Sequence, residues 1–485
     1  MSQLTRRELL KQSAAISAAL AAINPSDLLS AEPAAAARRV DPNEKLRVAI
    51  VGVKGRGMAH VGGFNGNHGC EITTICDCDE SVIGPAMKAV EGKGKKPQFV
   101  QDIRKVVEDK NIDIISIATP NHWHALAAIW AMQNGKHVYV EKPVSHNVHE
   151  GRVMVETARK FKRVCQTGTQ SRSMPGMREA MAYMHAGNLG KVRLAYATCY
   201  KPRGSIGKVN GEQAIPKTID YDLWCGPAPK TPLMRTKLHY DWHWIWAYGN
   251  GDLGNQGIHE MDKARWGLNK MELPKSVVSL GGRFGYVDDG ETANTQICVF
   301  DYGDSNLIFE VRGLKTEDYK GAKVGNLFFG EKGIIVCPNY GGGFLTDLDG
   351  KKIQDFKGAG SDNSHFGNFV TAVRASDHKL LNADILEGHL SSALCHLGNI
   401  SYRLGVEKAM AEVKEFTANK DALQAFDRMT QHLKDNNVDL TKAIGRVGAV
   451  LPLDPKTERF TGNNSKANDM LFREYRKGFE VKDVV

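Results

Sequence analysis

Short apolar runs rich in β-branched residues alternate with helix-period segments between Lys45 and about Thr169. These runs predict strands near 46–51, 72–75, 112–118, 137–140 and 164–167. Strands that alternate with helices form βαβ units, in which the strands lie parallel in one sheet. The pattern therefore predicts a first domain, residues 45–169, built on a parallel sheet.

The pattern changes after Met174, where a predicted helix to about Ala186 is followed by strands with alternating polar and apolar residues. These strands lie near 192–200, 276–286, 294–301, 305–312 and 324–329. Such alternation, with hairpin-like turns, is typical of an antiparallel sheet. We predict a second, α/β domain over 170–408 that ends in helices near 361–376 and 383–404, and a helical C-terminal extension over 409–485.

The composition narrows the class of protein. Of 485 residues, 64 are Lys or Arg and 55 are Asp or Glu, a formal net charge of +9 spread along the chain, and 42% are hydrophobic. This balance argues for a globular protein and against a disordered chain or a dedicated nucleic-acid binder. The nine Cys are an odd number without a C-x-x-C motif, which favours buried free thiols over disulfides or a zinc site.

The N-terminus resembles a twin-arginine export signal. Thr5-Arg6-Arg7-Glu8-Leu9-Leu10-Lys11 precedes a weakly apolar run and the small residues Ala34-Ala35-Ala36-Ala37. We expect residues 1–37 to be a signal peptide and the mature protein to be periplasmic or otherwise exported by this pathway. An amphipathic helix or a disordered tail is the alternative, and no run of ~18 apolar residues predicts a membrane span.

A glycine-rich turn follows the first predicted strand. Gly52, Gly55 and Gly57 lie where the strand turns into a helix, and glycines there let the backbone approach a pyrophosphate at the helix N-terminus. The spacing departs from G-x-G-x-x-G, because Lys54 takes the second glycine position. Asp77 ends the second strand, where a carboxylate binds a ribose 2′-hydroxyl and repels a 2′-phosphate, so NAD is favoured over NADP. A tight turn beside a surface Asp is the alternative.

Polar side chains follow two later strands, at the sheet edge where open α/β sheets bind ligands. Thr119, Asn121 and His124 follow one strand, and Glu141-Lys142-Pro143 follows the next. A cis Lys142–Pro143 bond would hold the ammonium beside the nicotinamide, where burial lowers its pKa and lets it exchange a proton with the reacting oxygen. A surface Glu–Lys pair is the alternative.

The segment from Lys201 to Asn255 is irregular, rich in aromatic residues and too long for a passive loop. Flat apolar faces with hydrogen-bonding tips suit a sugar ring, whereas core packing is the alternative for Trp244 and Trp246. The residues of this segment that we expect to contact substrate are Arg203, Trp242, His243 and Asn255.

Two of these assignments have rivals. Arg203 is either a substrate contact or an ordinary surface charge. His239, His243 and His259 leave a zinc site open, although they lack the H-E-x-x-H register.

The glycine turn, the Thr119–His124 strand end and Glu141-Lys142-Pro143 are followed by a fourth motif, Gly254-Asn255-Gln256-Gly257-Ile258-His259-Glu260-Met261-Asp262. In this order the motifs resemble the Gfo/Idh/MocA oxidoreductases, and the similarity covers roughly Lys45 to Leu404. The resemblance implies a Rossmann domain, then an α/β domain with a large, open, mostly antiparallel sheet, and a homo-oligomer, a dimer or tetramer. It also implies that Lys142 is catalytic and His259 is the acid/base. Many family members carry an Asp in place of Asn255, and an amide hydrogen-bonds a sugar hydroxyl but relays no proton.

The resulting assignment has two parts. The catalytic residues are Lys142, His259 and Asn255. The residues expected to bind NAD are Gly52, Gly55, Arg56, Gly57, Asp77, Thr119, Asn121, His124, Glu141 and Lys142.

We therefore expect an NAD-dependent oxidoreductase acting on a secondary alcohol of a sugar, cyclitol or glycoside, with His259 or Lys142 taking the hydroxyl proton. Export favours a tightly retained cofactor, because free NAD is scarce outside the cytoplasm. Retention admits paired oxidation and reduction of two carbohydrates, or glycoside hydrolysis through transient ring oxidation and elimination, which resembles the NAD-dependent N-acetylgalactosaminidases. A non-enzymatic nucleotide-binding or scaffold protein is the third class.

Overall fold

The computed structural model describes residues 44–484. The predicted signal peptide, residues 1–37, lies outside the described residues. Within 44–484, no helix has both the length and the apolar character needed to cross a membrane.

The first sheet has six parallel strands in the order β3-β2-β1-β4-β5-β6. The strands are β1 Leu46–Val51, β2 Cys70–Cys76, β3 Gln98–Val100, β4 Ile114–Ile117, β5 His137–Val140 and β6 Cys165–Thr167. The predicted parallel sheet is confirmed. The strand order reverses direction between β1 and β4, which opens a crevice at the carboxyl ends of these strands.

Helices cover both faces of this sheet. They are α1 Arg56–Phe64, α2 Gly84–Glu91, α3 Ile103–Glu108, α4 Asn121–Gln133 and α5 Val148–Lys160. Helix α4 is apolar on nearly all sides because the core surrounds it. A later helix, α9 Asp362–Ala375, returns to this core and packs Phe366 and Phe369 beside Phe64.

The second sheet has twelve strands, with the main order β14-β13-β12-β11-β7-β10-β9-β8-β16-β15 and with β17 pairing β8 and β18. Strands β7 and β10 pair in parallel, whereas the other pairs are antiparallel. The predicted large, mostly antiparallel sheet is confirmed. The strands are β7 Leu194–Cys199, β8 Ser276–Gly282, β9 Thr295–Asp301, β10 Asn306–Arg312, β11 Val324–Phe329, β12 Ile334–Cys337, β13 Gly343–Thr346, β14 Lys352–Phe356, β15 Val406–Ala409, β16 Ile444–Val447, β17 Leu451–Asp454 and β18 Arg459–Phe460.

One face of this sheet packs on the helices α6 Pro175–His185, α8 Ile258–Gly267 and α10 Ile385–Arg403. The far face is partly covered, because Phe426 and Met429 of α11 Lys420–Asp435 pack against it. The remaining helices are α7 Tyr221–Cys225 and α12 Ser465–Asp469.

The prediction of a helical extension over 409–485 is wrong in part. Strand β16 pairs with β8 and β15, and β17 pairs with β8, so this segment finishes the sheet. Such short runs carry no strong period, and only their distant partners make them strands. The last residues return to the first domain, where Phe479 packs on Trp123 and Trp130. All nine Cys are free and eight are buried, as predicted.

Candidate functional site

A cavity of about 590 Å³ lies at the carboxyl ends of the first sheet, between that edge and the 201–255 segment. Of the predicted site residues, Gly57 and Arg203 do not line it. The cavity brings together the rest, which are Gly52, Gly55, Arg56, Asp77, Thr119, Asn121, His124, Glu141, Lys142, Trp242, His243, Asn255 and His259.

The glycine-rich turn is shaped for close approach of backbone. A Cβ on Gly52 would lie 2.7 Å from the Ala118 oxygen, and Gly52 also has φ +81°. A Cβ on Gly57 would lie 1.8 Å from the Gly52 oxygen, so Gly57 serves helix-to-strand packing and not the cavity surface. Gly55 precedes α1, and a Cβ there meets nothing within 4 Å. The helix N-terminus therefore opens onto space that suits a pyrophosphate.

Asp77 lies on the cavity wall next to this turn. Its carboxylate accepts from the Val53 amide at 2.9 Å and from the Asp79 amide at 3.1 Å. Burial raises its pKa, although these two amides oppose the rise. Both carboxylate oxygens have a further acceptor site, which suits the hydroxyls of a ribose.

The Glu141 carboxylate is held by two basic side chains and is therefore not free to bind a ligand. It accepts from Arg56 Nε at 2.8 Å and contacts His60 Nε2 at 3.0 Å, while Arg56 Nη1 also donates to Asp362 at 2.7 Å. Burial disfavours the carboxylate, but His60 and Arg56 outweigh burial and hold the pKa of Glu141 well below its usual range. A Cβ on Gly168 would lie 2.7 Å from the carboxylate. Glu141 therefore anchors the strand end that carries Lys142.

Lys142 presents its ammonium inside the cavity, and the Lys142–Pro143 bond is cis, as predicted. Nζ donates to the Asn255 backbone oxygen at 2.6 Å. Burial lowers the pKa of Lys142, while the neighbouring Glu141 opposes that effect. An ammonium with a lowered pKa and two remaining donors can hydrogen-bond a reacting oxygen or exchange a proton with it.

His259 and Asn255 lie on consecutive helical turns and line the same cavity as Lys142. Asn255 belongs to a π-helical turn, Leu253–Gly257, that runs directly into α8, and His259 is in the first turn of α8. Within residues 44–484, His259 Nδ1 and Asn255 Nδ2 are buried without a hydrogen-bond partner. Burial and the charge of Lys142 lower the pKa of His259 well below its usual value. A neutral imidazole beside unpaired polar atoms fits a hydroxylated ligand.

Of the other residues at the strand ends, His124 and Asn121 are engaged in hydrogen bonds within the protein, whereas Thr119 is free to bind a ligand. His124 Nδ1 and Nε2 lie 2.6 and 2.8 Å from the backbone oxygens of Pro143 and Thr119, which ties the two strand ends together. Asn121 donates to the Asn250 side chain at 3.1 Å. Thr119 Oγ1 is buried and finds no partner in the described chain, so it is free for a ligand.

The 201–255 segment supplies the facing wall. Trp242 and His243 stack at 3.6 Å between ring centroids and at 21°, within a short 3₁₀ turn at Asp241–Trp244. Trp244 is buried and does not line the cavity, so core packing accounts for it.

The prediction that Arg203 contacts substrate disagrees with its place outside the cavity. Its guanidinium pairs with Asp252 at 2.6 Å, where the Asp252 side chain is only 1% exposed, and it also donates to the Tyr240 hydroxyl at 3.1 Å. A buried carboxylate needs this partner, so Arg203 positions the wall.

The three histidines proposed as zinc ligands do not converge. His239 Nε2 pairs with Asp79 at 2.7 Å, and His243 Nδ1 donates to the Tyr240 backbone oxygen. Among the described residues no group of three His, Cys, Asp or Glu could hold a metal ion. The sequence analysis missed Tyr340, which lines the cavity with its ring 4.8 Å from that of His259. Tyr340 lies between strands β12 and β13 in a turn with no motif to mark it.

Known proteins resemble the chain in sequence and fold. An alpha-N-acetylgalactosaminidase from Shewanella oneidensis is 32% identical over 181 residues, which cover 34% of this chain and 39% of that protein. The chain thus spans about two fifths of that curated relative. The WlbA dehydrogenase of Bordetella pertussis, solved in complex with NADH and UDP-GlcNAcA, is 19% identical with a TM-score of 0.53, covering 72% of this chain and 94% of that one. The aldose-aldose oxidoreductase of Caulobacter crescentus is 16% identical with a TM-score of 0.55, covering 73% and 98%.

Two family matches cover most of the chain. Residues 46–169 match the NAD-binding Rossmann fold of an oxidoreductase family, and residues 189–435 match the C-terminal alpha/beta domain of the same family. The glycine turn, Asp77 and the cavity edge described above lie in the first of these matches. The chain therefore belongs to the Gfo/Idh/MocA oxidoreductases and carries their NAD-binding domain.

Proposed function

We propose that the protein is an NAD-dependent oxidoreductase that acts on a secondary alcohol of a sugar, cyclitol or glycoside and keeps its dinucleotide bound between turnovers. The observation that carries this proposal is the partly buried Lys142, whose ammonium donates to the Asn255 oxygen at 2.6 Å in the same cavity as the neutral His259. One cationic donor and one neutral acceptor are what alcohol oxidation needs.

The residues present fit the cofactor. The open space at Gly55, the free acceptor sites of Asp77 and the unpaired Thr119 hydroxyl all belong to the lining of one cavity. When bound, NAD supplies the hydride acceptor for the alcohol carbon. Lys142 then hydrogen-bonds the alcohol oxygen, and His259 accepts the hydroxyl proton. Lys142 is held by the Asn255 oxygen before substrate arrives, so its orientation is not lost to side-chain motion.

Retention is supported by the way the 201–255 segment joins the first domain. Glu80 donates its amide to the Thr218 oxygen at 3.0 Å, Asp220 donates to the Cys78 oxygen at 3.0 Å, and the Asp79–His239 ion pair lies between them. These ties lie one to three residues beyond Asp77, the residue expected to bind the ribose. Export through the twin-arginine pathway, which carries folded proteins, belongs to the same proposal.

A second candidate is an NAD-dependent glycoside hydrolase that oxidises a ring carbon, eliminates the aglycone, adds water and reduces the ring again. The Shewanella relative named as an alpha-N-acetylgalactosaminidase favours it. Both candidates predict no net release of NADH, but they differ in product.

The test begins with protein purified without added nucleotide. Denaturation should release about one NAD per chain, identified by mass, and sugars or aryl glycosides should change the absorbance of the bound dinucleotide at ~340 nm. A ketosugar product supports the oxidoreductase, whereas a reducing sugar released from a glycoside supports the hydrolase. An empty protein that binds no added dinucleotide contradicts both. Cell fractionation separately tests export.

A further inference from the structure

The turn before His243 has an uncommon backbone. Tyr240 has φ +66° and ψ −49°, and the Asp241 amide donates to the His239 oxygen at 2.9 Å. A three-residue turn with positive φ is rare and strained, and strain of this kind tends to occur at functional sites.

The strained turn fixes the protonation pattern of His243. It aims the Tyr240 backbone oxygen at the imidazole, so Nδ1 donates to that oxygen at 2.5 Å. A carbonyl can only accept, so Nδ1 carries the hydrogen, and in the neutral ring Nε2 keeps its lone pair. Within residues 44–484, Nε2 has no hydrogen-bond partner, while His243 lines the cavity.

The ring is also held in place. Trp242 stacks on it, and a Cβ on Gly249 would lie 2.5 Å from the His243 backbone, so the chain packs tightly behind it. Burial lowers the pKa of His243 to about 3, which keeps the imidazole neutral but makes it a weak base. Removal of a proton by this ring therefore needs a substrate C–H bond that is made acidic by a neighbouring carbonyl group.

A line of contacts connects this ring to Lys142. Arg203 holds the Tyr240 hydroxyl and pairs with Asp252, which adjoins the π-helical turn whose Asn255 oxygen accepts from Lys142. Oxidation of an alcohol needs one proton acceptor, and His259 supplies it in the proposed function. The free Nε2 of His243 is therefore a second acceptor in the same cavity.

We propose that His243 is a catalytic base that removes the C–H proton next to the newly oxidised carbon of the sugar. This inference rests on the proposed function. A dinucleotide held by the glycine turn and Asp77 would supply the hydride acceptor that turns the alcohol carbon into a ketone. His243 Nε2 then takes the adjacent proton, the C–H electron pair forms the enolate, and the Lys142 ammonium donates to the enolate oxygen. The enolate expels a leaving group on the next carbon, or it takes the proton back.

The test separates hydride transfer from proton exchange. Holoenzyme in D₂O is mixed with hexopyranoses and their aryl glycosides. Absorbance of the bound dinucleotide reports hydride transfer, and mass spectrometry of recovered sugar reports deuterium beside the oxidised carbon. In His243→Asn, the amide still donates to the Tyr240 oxygen but offers no base, so the ratio of exchange to dinucleotide reduction, both measured on the same variant, should fall by about 100-fold or more.

Added imidazole should restore exchange in His243→Gly, which guards against a folding defect in the Asn variant. His378→Gln, on the surface turn His378–Leu380, is the matched histidine control and should leave both readouts unchanged. Exchange that persists in His243→Asn, equal loss of both readouts, or wild-type reduction without exchange overturns the inference. No dinucleotide reduction by any sugar in wild type instead contradicts the proposed function, and the inference falls with it.

Discussion

The two walls of the cavity are held in different ways. On the first wall, Lys142 and Thr119 follow buried parallel strands, and a local charge network around Glu141 fixes the edge. On the second wall, His243 sits in an irregular segment that depends on a strained turn and on distant ion pairs, Arg203 with Asp252 and Asp79 with His239. Regular structure positions one set of groups, and isolated tertiary ties position the other. Removal of one of these ion pairs should therefore displace the second wall and leave the first wall in place.

The largest expected effect comes from the first wall itself. Lys142→Met removes the ammonium but keeps the side-chain length, and turnover should fall by about 10³-fold, because proton transfer and charge stabilisation are lost. Steady-state rates with a responsive sugar measure this. Bound NAD per chain, measured on the same protein, separates a loss of proton transfer from a loss of cofactor binding.

Lys136→Met is the matched control for Lys142→Met. Lys136 stands at the opposite end of β5, its Nζ also donates to a backbone oxygen, that of Asp109 at 2.6 Å, and burial also lowers its pKa. It does not line the cavity. Turnover should stay within about twofold of wild type, as for most changes remote from a site. A Lys142→Met enzyme within tenfold of wild type would contradict the assignment.

The next largest effect is expected at the Arg203–Asp252 ion pair, which holds the second wall. Arg203→Met leaves Asp252 buried without its partner, so the free energy of unfolding should fall by about 3 kcal/mol. Urea denaturation measures it. Arg193→Met, at an exposed ion pair with Glu331 at 4.0 Å, should cost less than about 0.5 kcal/mol. If Arg203→Met instead raised KM and left stability unchanged, Arg203 would be the substrate contact that the sequence suggested.

A smaller effect tests the charge network of the first wall. Gly168→Ala forces a Cβ to within 2.7 Å of the Glu141 carboxylate, and overpacking of this kind should cost about 1–3 kcal/mol in unfolding free energy. Gly62→Ala in α1 is the control, because its Cβ meets nothing within 4 Å, and it should stabilise by about 0.5–1 kcal/mol. Equal stability of the two variants would show that Glu141 is not confined.

The smallest effect is at the Asp79–His239 pair. Burial raises the pKa of Asp79, but hydrogen bonds from Ser81 and His239 outweigh it, so the net pKa is lowered. A lowered folded-state pKa means that its stabilisation is present above the unfolded-state pKa and is lost as pH falls through the folded-state pKa. Asp79→Asn should speed release of bound dinucleotide by no more than about fivefold near neutral pH, because one interaction is lost while the backbone hydrogen bonds from Glu80 to Thr218 and from Asp220 to Cys78 remain.

Wild type should approach the Asp79→Asn release rate in strong acid. Asp304→Asn is the control, because Asp304 also has a pKa lowered by a lysine, Lys270 at 2.7 Å, on a distant surface. Asp304→Asn should lower the free energy of unfolding near neutral pH and remove the part of the acid-side loss that Asp304 causes. It should leave dinucleotide release unchanged. A release rate that does not respond to Asp79→Asn would remove this pair from cofactor retention.

The predictability of the site follows the same division. Five of the six strands of the first sheet, the glycine turn, Asp77 and the Lys142–Pro143 strand end were predicted, since period, glycine spacing and position at a strand end are local properties of the chain. The three-residue strand β3 was not predicted, because so short a run shows no period. The sequence analysis assigned Asn255 a role through its side chain, whereas the structure also shows its backbone oxygen accepting from Lys142. No side-chain pattern reveals which backbone oxygen a fold will present.

The sequence alone determined the alternation of strands and helices in the first domain, apart from β3, and the residues that end the first sheet, because burial of β-branched runs and the freedom of glycine act over a few residues. Only the tertiary structure decided that Arg203 pairs with Asp252, 49 residues away, and that Lys142 meets Asn255, 113 residues away. It also decided that the Tyr240 oxygen sets the tautomer of His243. These outcomes depend on which distant groups remain unpaired once the core has formed, and that is a property of packing and not of local pattern.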